Sequence, residues 1–191
     1  MTASPSAFST PFNTSTQWGW VAKTFHWLIF LLMLAAWFAV ESHEYFPKGS
    51  PERAFRMMLH KSFGASVFFL VWLRLYWRLS QPHPAPEPAP RWQLLAAAVV
   101  HWGLYFVMVA LPLTGMLASQ FGGRVVSWFG LFDIPVLLAP DKAFAGQLMG
   151  LHKDLLWPLL LVLLAGHVGA ALWHHVITRD RTLRRMLPFL D

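Results

Sequence analysis

The sequence predicts an all-α fold, a transmembrane four-helix bundle, and three features carry that prediction. Of 191 residues, 56% are apolar and only 13% charged, about half the charge of an average soluble domain. Four apolar runs, at about 24–40, 57–79, 92–118 and 150–177, are long enough to cross roughly 30 Å of hydrocarbon. Histidines recur inside those runs, where an ionisable side chain is costly unless partnered. This composition excludes disordered, fibrous and disulfide-framework classes. The absence of Cys also removes thiolate haem ligation, iron–sulfur clusters, Cys-type zinc sites and cysteine nucleophiles. Eleven Trp and sixteen Phe suit membrane interfaces or the clamping of a flat ligand.

Residues 1–23 form an N-terminal extension. The first span, TFHWLIFLLMLAAWFAV, lies between Lys23 and Glu41. A signal peptide ending near Ala39 would need a basic opening. The residues before the span are mostly uncharged, so an uncleaved helix is expected. Residues 41–56 are a mixed-charge loop leading to the second span. Residues 80–91, SQPHPAPEPAPR, hold five Pro in twelve and form a stiff extended linker to the third. The connection 119–149 contains an apolar stretch broken by Gly130 and Pro135. It is too interrupted to span, and an interfacial helix or re-entrant cover is expected there. The fourth span follows, and 178–191 is a basic tail.

Four spans put the N-terminus, the Pro-rich linker and the tail on one side. That side carries eight Lys and Arg (Lys23, Arg74, Arg78, Arg91, Arg179, Arg181, Arg184, Arg185). The other carries seven (Lys48, Arg53, Arg56, Lys61, Arg124, Lys142, Lys153). Acidic residues divide three against six, which makes the first side the more basic and predicts cytoplasmic termini. The net charge of +6 then meets anionic lipid rather than nucleic acid.

Depth sorts the histidines into pairs. His26 begins the first span on the cytoplasmic side, and His167 lies late in the antiparallel fourth span toward the same side. His60 and His152 begin the second and fourth spans on the periplasmic side. His152 and His167 are 15 residues apart, about 22 Å of helix rise and about four turns, which suits two cofactors stacked across the bilayer. Iron porphyrin is the cofactor that takes two neutral imidazoles per site in a helical bundle, so two haems b are expected. Gly64, Gly150, Gly166 and Gly169 leave room for a flat ring. Arg56, Lys61 and Lys153 on one side, and Lys23, Arg74 and Arg78 on the other, are placed for haem propionates.

His101, a third of the way down the third span, is a core hydrogen-bonding residue, a substrate or proton-handling one, or a rival to His26 as partner of His167. His174, seven residues after His167 and on the same helix face, points to the cytoplasmic cofactor edge as a substrate or quinone contact. His43 and His83 lie in loops and carry no functional reading. HExxH, glycine-rich phosphate loops and dinucleotide fingerprints are absent. A zinc site built from His alone would gather its ligands at one depth, and these histidines do not.

Several segments together resemble the bacterial cytochrome b561 family, which is related to hydrogenase cytochrome b subunits. They are FHWLIF, MLHKSFG with RLYWRL, HWGLYFVMVALPLTG, LHKDL, GHVGAALWHH and DRTLRRMLP, covering about residues 20–188. The resemblance implies haem ligation by His26 with His167 and by His60 with His152, in agreement with depth. It implies electron transfer across the membrane with ubiquinone as the cytoplasmic-side partner. Some close relatives look like superoxide oxidases, which pass an electron from periplasmic superoxide to quinone. For such an anion, Lys61, Arg56, Arg53 and Lys153 would steer approach. The alternative is a haem b membrane anchor or relay subunit of a larger dehydrogenase or hydrogenase, which the small loops disfavour. A haem-free membrane protein is the third reading.

Overall fold

A computed structural model gives the fold and describes residues 10–187. Residues 1–9 of the predicted N-terminal extension and 188–191 of the predicted basic tail lie outside the described residues. The chain is helical, as expected. Helix α1 spans Trp20–Ser42, α2 Pro51–Ser80 and α3 Arg91–Phe121. Strands β1 (Val126–Trp128) and β2 (Phe132–Ile134) follow, then α4 (Lys142–Gly150), a π-helical stretch (Leu151–Leu156), α5 (Trp157–Trp173) and a second π-helical stretch (His174–Thr178).

Each long helix extends past its apolar run. The last begins at Lys142, eight residues before the run, because Asp141 caps it by accepting a 3.0 Å hydrogen bond from Phe144 N–H. Among the described residues, three helical stretches are long and apolar enough to cross a membrane: Trp20–Tyr45, Arg91–Phe121 and Lys142–Thr178. Helix α2, the fourth expected span, is long enough at 30 residues, about 45 Å. Its apolar run is interrupted by His60, Lys61, Ser62, Ser66 and Arg74, and several of these make contacts described below.

The chain divides into two compact units. One comprises the described residues of Met1–Leu28, Trp72–Leu104 and Val162–Asp191; the other comprises Ile29–Val71 and Tyr105–Leu161. In the second unit many of the buried side chains are small, among them Ala36, Ala39, Ala65, Val67, Val71 and Ala118. Small residues let helix backbones approach closely where lipid supplies no hydrophobic drive between helices. Large apolar side chains point outward instead, with Phe38 63% and Phe69 60% exposed, as a lipid-facing surface requires. The buried aliphatic and aromatic side chains lie in this unit, whereas the described residues of the first unit bury Asn13, Gly19, Lys23 and Pro84.

The connection after α3 is a β-hairpin, where an interfacial helix or re-entrant cover was expected. Val126 pairs with Ile134 and Trp128 with Phe132. Phe129 (φ +51°) and Gly130 (φ +71°) both take positive φ, and Leu131 N–H bonds the Trp128 carbonyl at 3.0 Å. Gly130, read from sequence as a break in an apolar stretch, is a turn former of the type I′ class that matches strand twist. The hairpin is docked on α2. Ser62 Oγ donates to the Ser127 carbonyl (3.1 Å) and accepts from Phe129 N–H (2.8 Å), and Trp128 Nε1–H donates to Ser66 Oγ (3.1 Å).

In the first unit the polar segments are tied together. Ala85 N–H bonds the Ser15 carbonyl (2.9 Å), Phe12 stacks on Trp77, and Arg185 bonds both the Ala85 carbonyl (2.7 Å) and the Glu87 carboxylate (2.8 Å). Trp27 Nε1–H donates to the Met186 carbonyl (2.8 Å). Arg185, counted in the sequence among the basic residues of the cytoplasmic side, is turned onto the linker.

Ser62 is fully buried, so Ser62→Ala strands the Phe129 N–H. A loss of about 1–3 kcal/mol is expected, read as a lowered thermal midpoint in detergent; an unchanged midpoint would show that the hairpin is not held there.

Candidate functional site

Each unit brings imidazoles together from several helices. In the second, His60 on α2 and His152 in the first π-helical stretch place their ring centroids 6.2 Å apart. Each ring is fixed through Nδ1–H. His60 donates to the Ala36 carbonyl of α1 at 2.9 Å, and His152 to the Leu111 carbonyl of α3 at 2.8 Å. A helix carbonyl has two lone pairs, so it accepts an imidazole without giving up its own helical bond. With Nδ1 committed as donor, Nε2 presents its lone pair, the arrangement metal-binding histidines use. Thr114 Oγ lies 3.3 Å from His152 Nδ1 and back-bonds the Ala110 and Leu111 carbonyls.

In the first unit, three imidazoles gather. His26 (α1) and His167 (α5) have centroids 6.0 Å apart, and His101 (α3) lies 5.3 Å from His167. Arg74 on α2 donates to His26 Nδ1 at 2.9 Å. Because guanidinium has no acceptor, His26 uses Nδ1 as acceptor here, the opposite role to that in His60 and His152. Presenting a bare Nε2 to a metal would require the Nδ1 proton to return and Arg74 to turn elsewhere, and the guanidinium it would free suits an anionic group.

A metal bound at about 2 Å to one nitrogen of each of two rings separates their centroids by about 6 Å. The 6.0 and 6.2 Å pairs fit that span, and the 5.3 Å pair falls short of it. Among the described residues no group of three or more His, Asp or Glu gathers around one metal position. Each pair therefore offers two nitrogen atoms, the number that a metal already held by a porphyrin would take. Beside His167, a Cβ at Gly166 or Gly169 would meet nothing within 4 Å, so there is open space for a flat ring; Gly64 and Gly150 are likewise uncrowded.

Gly115 has a role the sequence reading missed. A Cβ there would sit 3.2 Å from His152 Cε1 and 3.3 Å from Nδ1, so this position makes room for the imidazole. The signal lay in LPLTG, where Thr114 and Gly115 follow Pro112, but no spacing rule links a glycine on α3 to a histidine 37 residues later.

The cations divide. Arg56 lies over the Phe46 ring at 5.7 Å, Lys61 is half-buried and Lys153 exposed. Arg53, expected to steer an anion, is committed to Glu44 (3.0 Å) and the Phe46 carbonyl (2.9 Å). Lys23 is buried, Arg74 meets His26, and Arg78 is half-buried. His174 Nδ1 bonds the Asp180 carboxylate. His43, given no function, bonds the Val40 carbonyl and sits 3.2 Å from Glu44.

Residues 17–189 match the family described as prokaryotic cytochrome b561. Among curated relatives, the chain is 34% identical over 166 residues to cytochrome b561 homolog 1 of Escherichia coli (strain K12), covering 85% of this chain and 92% of the relative. It is 35% identical over 182 residues to cytochrome b561 homolog 2 of the same strain, covering 92% and 93%. It is 31% identical over 164 residues to the probable superoxide oxidase CybB of Yersinia pestis, covering 85% and 91%.

Gly115→Val would drive a side chain into the His152 ring. Loss of more than half the bound haem is expected, with Gly115→Ala intermediate, by absorbance of purified protein. Full haem content in Gly115→Val would show that the ring does not depend on this space.

Proposed function

Since this chain belongs to the prokaryotic cytochrome b561 family, membrane proteins that bind haem b and transfer electrons, we propose that it binds two haems b and passes electrons from periplasmic superoxide to ubiquinone. The observation that carries this reading is the presence of two imidazole pairs with centroids 6.0 and 6.2 Å apart. In it, His60 with His152 and His26 with His167 are the axial ligands. Each bound haem would supply a one-electron iron couple. The Ala36 and Leu111 carbonyls hold the His60 and His152 rings in the tautomer that leaves Nε2 unprotonated. Arg74, with Arg78 and Lys23, is the cation source for propionates at one site, and Arg56, Lys61 and Lys153 at the other.

One ligand of each proposed pair, His152 and His167, comes from the same apolar run, 15 residues apart in sequence. A name containing superoxide oxidase on one relative favours superoxide as donor. Lys61 and Lys153 beside the His60–His152 pair provide local positive charge for a small anion. His174 and His101 are the candidate contacts for quinone, since imidazole both hydrogen-bonds carbonyl oxygens and moves protons near neutral pH. The excess of basic over acidic residues on the side of the termini supports a bacterial inner membrane with cytoplasmic ends.

A pyridine haemochrome assay should give two haems per chain. His60→Ala or His152→Ala should each remove one haem and leave the other, and His26→Ala or His167→Ala the reverse. One haem in the unaltered protein, or loss of a haem on His101→Ala with His26→Ala harmless, would overturn the assignment.

Neutralising Lys61 and Lys153 together should slow reduction by superoxide severalfold and flatten its dependence on ionic strength, measured by stopped-flow absorbance. An unaltered salt dependence would place the donor elsewhere.

A further inference from the structure

At the end of the last helix, His174 and Asp180 are joined although six residues separate them. In a regular α-helix, residues six apart lie about 9 Å apart along the axis and on different faces, so their side chains do not meet. Two backbone departures bring them together. Residues His174–Thr178 form a π-helical stretch, and Arg179 then takes a left-handed conformation at φ +56°, ψ +34°. The His174 carbonyl receives both the Arg179 N–H and, at 3.2 Å, the Asp180 N–H. The chain thereby reverses, and the Asp180 carboxylate meets His174 Nδ1.

Stability alone does not explain this arrangement. Left-handed backbone at a non-glycine residue costs about 1 kcal/mol, and a carboxylate at a helix C-terminus faces the negative end of the helix dipole. The carboxylate is nonetheless held at both oxygens, Oδ2 by His174 and Oδ1 by Thr182 N–H at 2.8 Å. Burial works against its ionisation, and the hydrogen bonds from His174 and Thr182 outweigh it, keeping Asp180 below the ordinary carboxyl range. Backbone strain and π-helical insertions concentrate where a side chain must be aimed. The His174 side chain remains 22% exposed, so a ligand can reach it.

We propose that Asp180 is a positioning residue for His174 in ubiquinone reduction. It fixes the ring with Nδ1–H on the carboxylate and leaves Nε2 as the nitrogen that meets a quinone oxygen. This rests on the reading of His174 as a quinone contact. The reaction is ubiquinone + 2 e⁻ + 2 H⁺ → ubiquinol, with the electrons those of the chain's own electron transfer. His174 Nε2 gives one proton to one oxygen and is left as a neutral ring still bonded to Asp180, then is reprotonated from water at the helix end. His101 or water supplies the second proton. A carboxylate that orients an imidazole for proton transfer is a recurrent device.

The test is a double-mutant cycle on the full, haem-loaded chain: unaltered, His174→Ala, Asp180→Asn and both. Each is prereduced and mixed with a short-chain ubiquinone, with the haem spectrum as the check on integrity. His174→Ala should slow the limiting rate about 100-fold and Asp180→Asn about tenfold. The quinone concentration giving half the limiting rate should stay within about twofold for Asp180→Asn, and that change should add nothing to His174→Ala. If Asp180→Asn loses haem, Asp180→Glu takes its place in the cycle and the coupling is read in the same way. An unaltered rate in His174→Ala overturns both the quinone contact and this proposal. A slow His174→Ala with an unaltered Asp180→Asn, equal effects of Asp180→Asn in both backgrounds, or an effect only on half-saturation overturns the positioning role while the contact stands.

Discussion

An imidazole placed among membrane helices must have both ring nitrogens satisfied, since hydrocarbon offers no water to do it. Much of this molecule follows from that requirement. In the unit built from residues 29–71 and 105–161, the solution is main-chain: spare lone pairs on the Ala36 and Leu111 carbonyls take the Nδ1 hydrogens of His60 and His152. The helices stay intact, and each ring keeps an unprotonated Nε2. The packing around them is of small residues, which allows the backbones to lie close enough for a side chain on one helix to reach a carbonyl on the next.

The other unit meets the same requirement differently. His26 Nδ1 is satisfied by a side chain, Arg74, and a third imidazole, His101, lies beside His167. A guanidinium is a mobile partner with other anions to bind, whereas a carbonyl is fixed by its helix. The two pairs thus differ in how firmly their tautomers are set.

Irregular backbone appears where side chains have to be aimed. His152 sits in one π-helical stretch and His174 opens the other. The hairpin after α3 is a further irregularity, held by Ser62 and Ser66 on α2 through hydrogen bonds rather than by apolar burial. The same serines contribute to the lowered hydropathy of α2, so part of the polarity of that helix is explained by what it touches.

The sequence by itself determined the helical membrane class and the helices that bear the histidines. It also identified the pairs of rings that lie 6.0 and 6.2 Å apart. Hydropathy and helix rise are properties of a chain read in one dimension, and antiparallel spans convert position along the chain into depth. It did not reveal the hairpin, because a Gly in an apolar run signals a break without saying whether a helix or a turn follows. Only the tertiary structure decided the acceptors at Ala36 and Leu111, the clearance at Gly115, the commitment of Arg53 to Glu44 and the return of Asp180 to His174. Each depends on which atoms of separate elements, or of one irregular turn, come within about 3 Å of one another. Helical periodicity specifies a face to within a residue or so, and a hydrogen bond requires the position of a single atom.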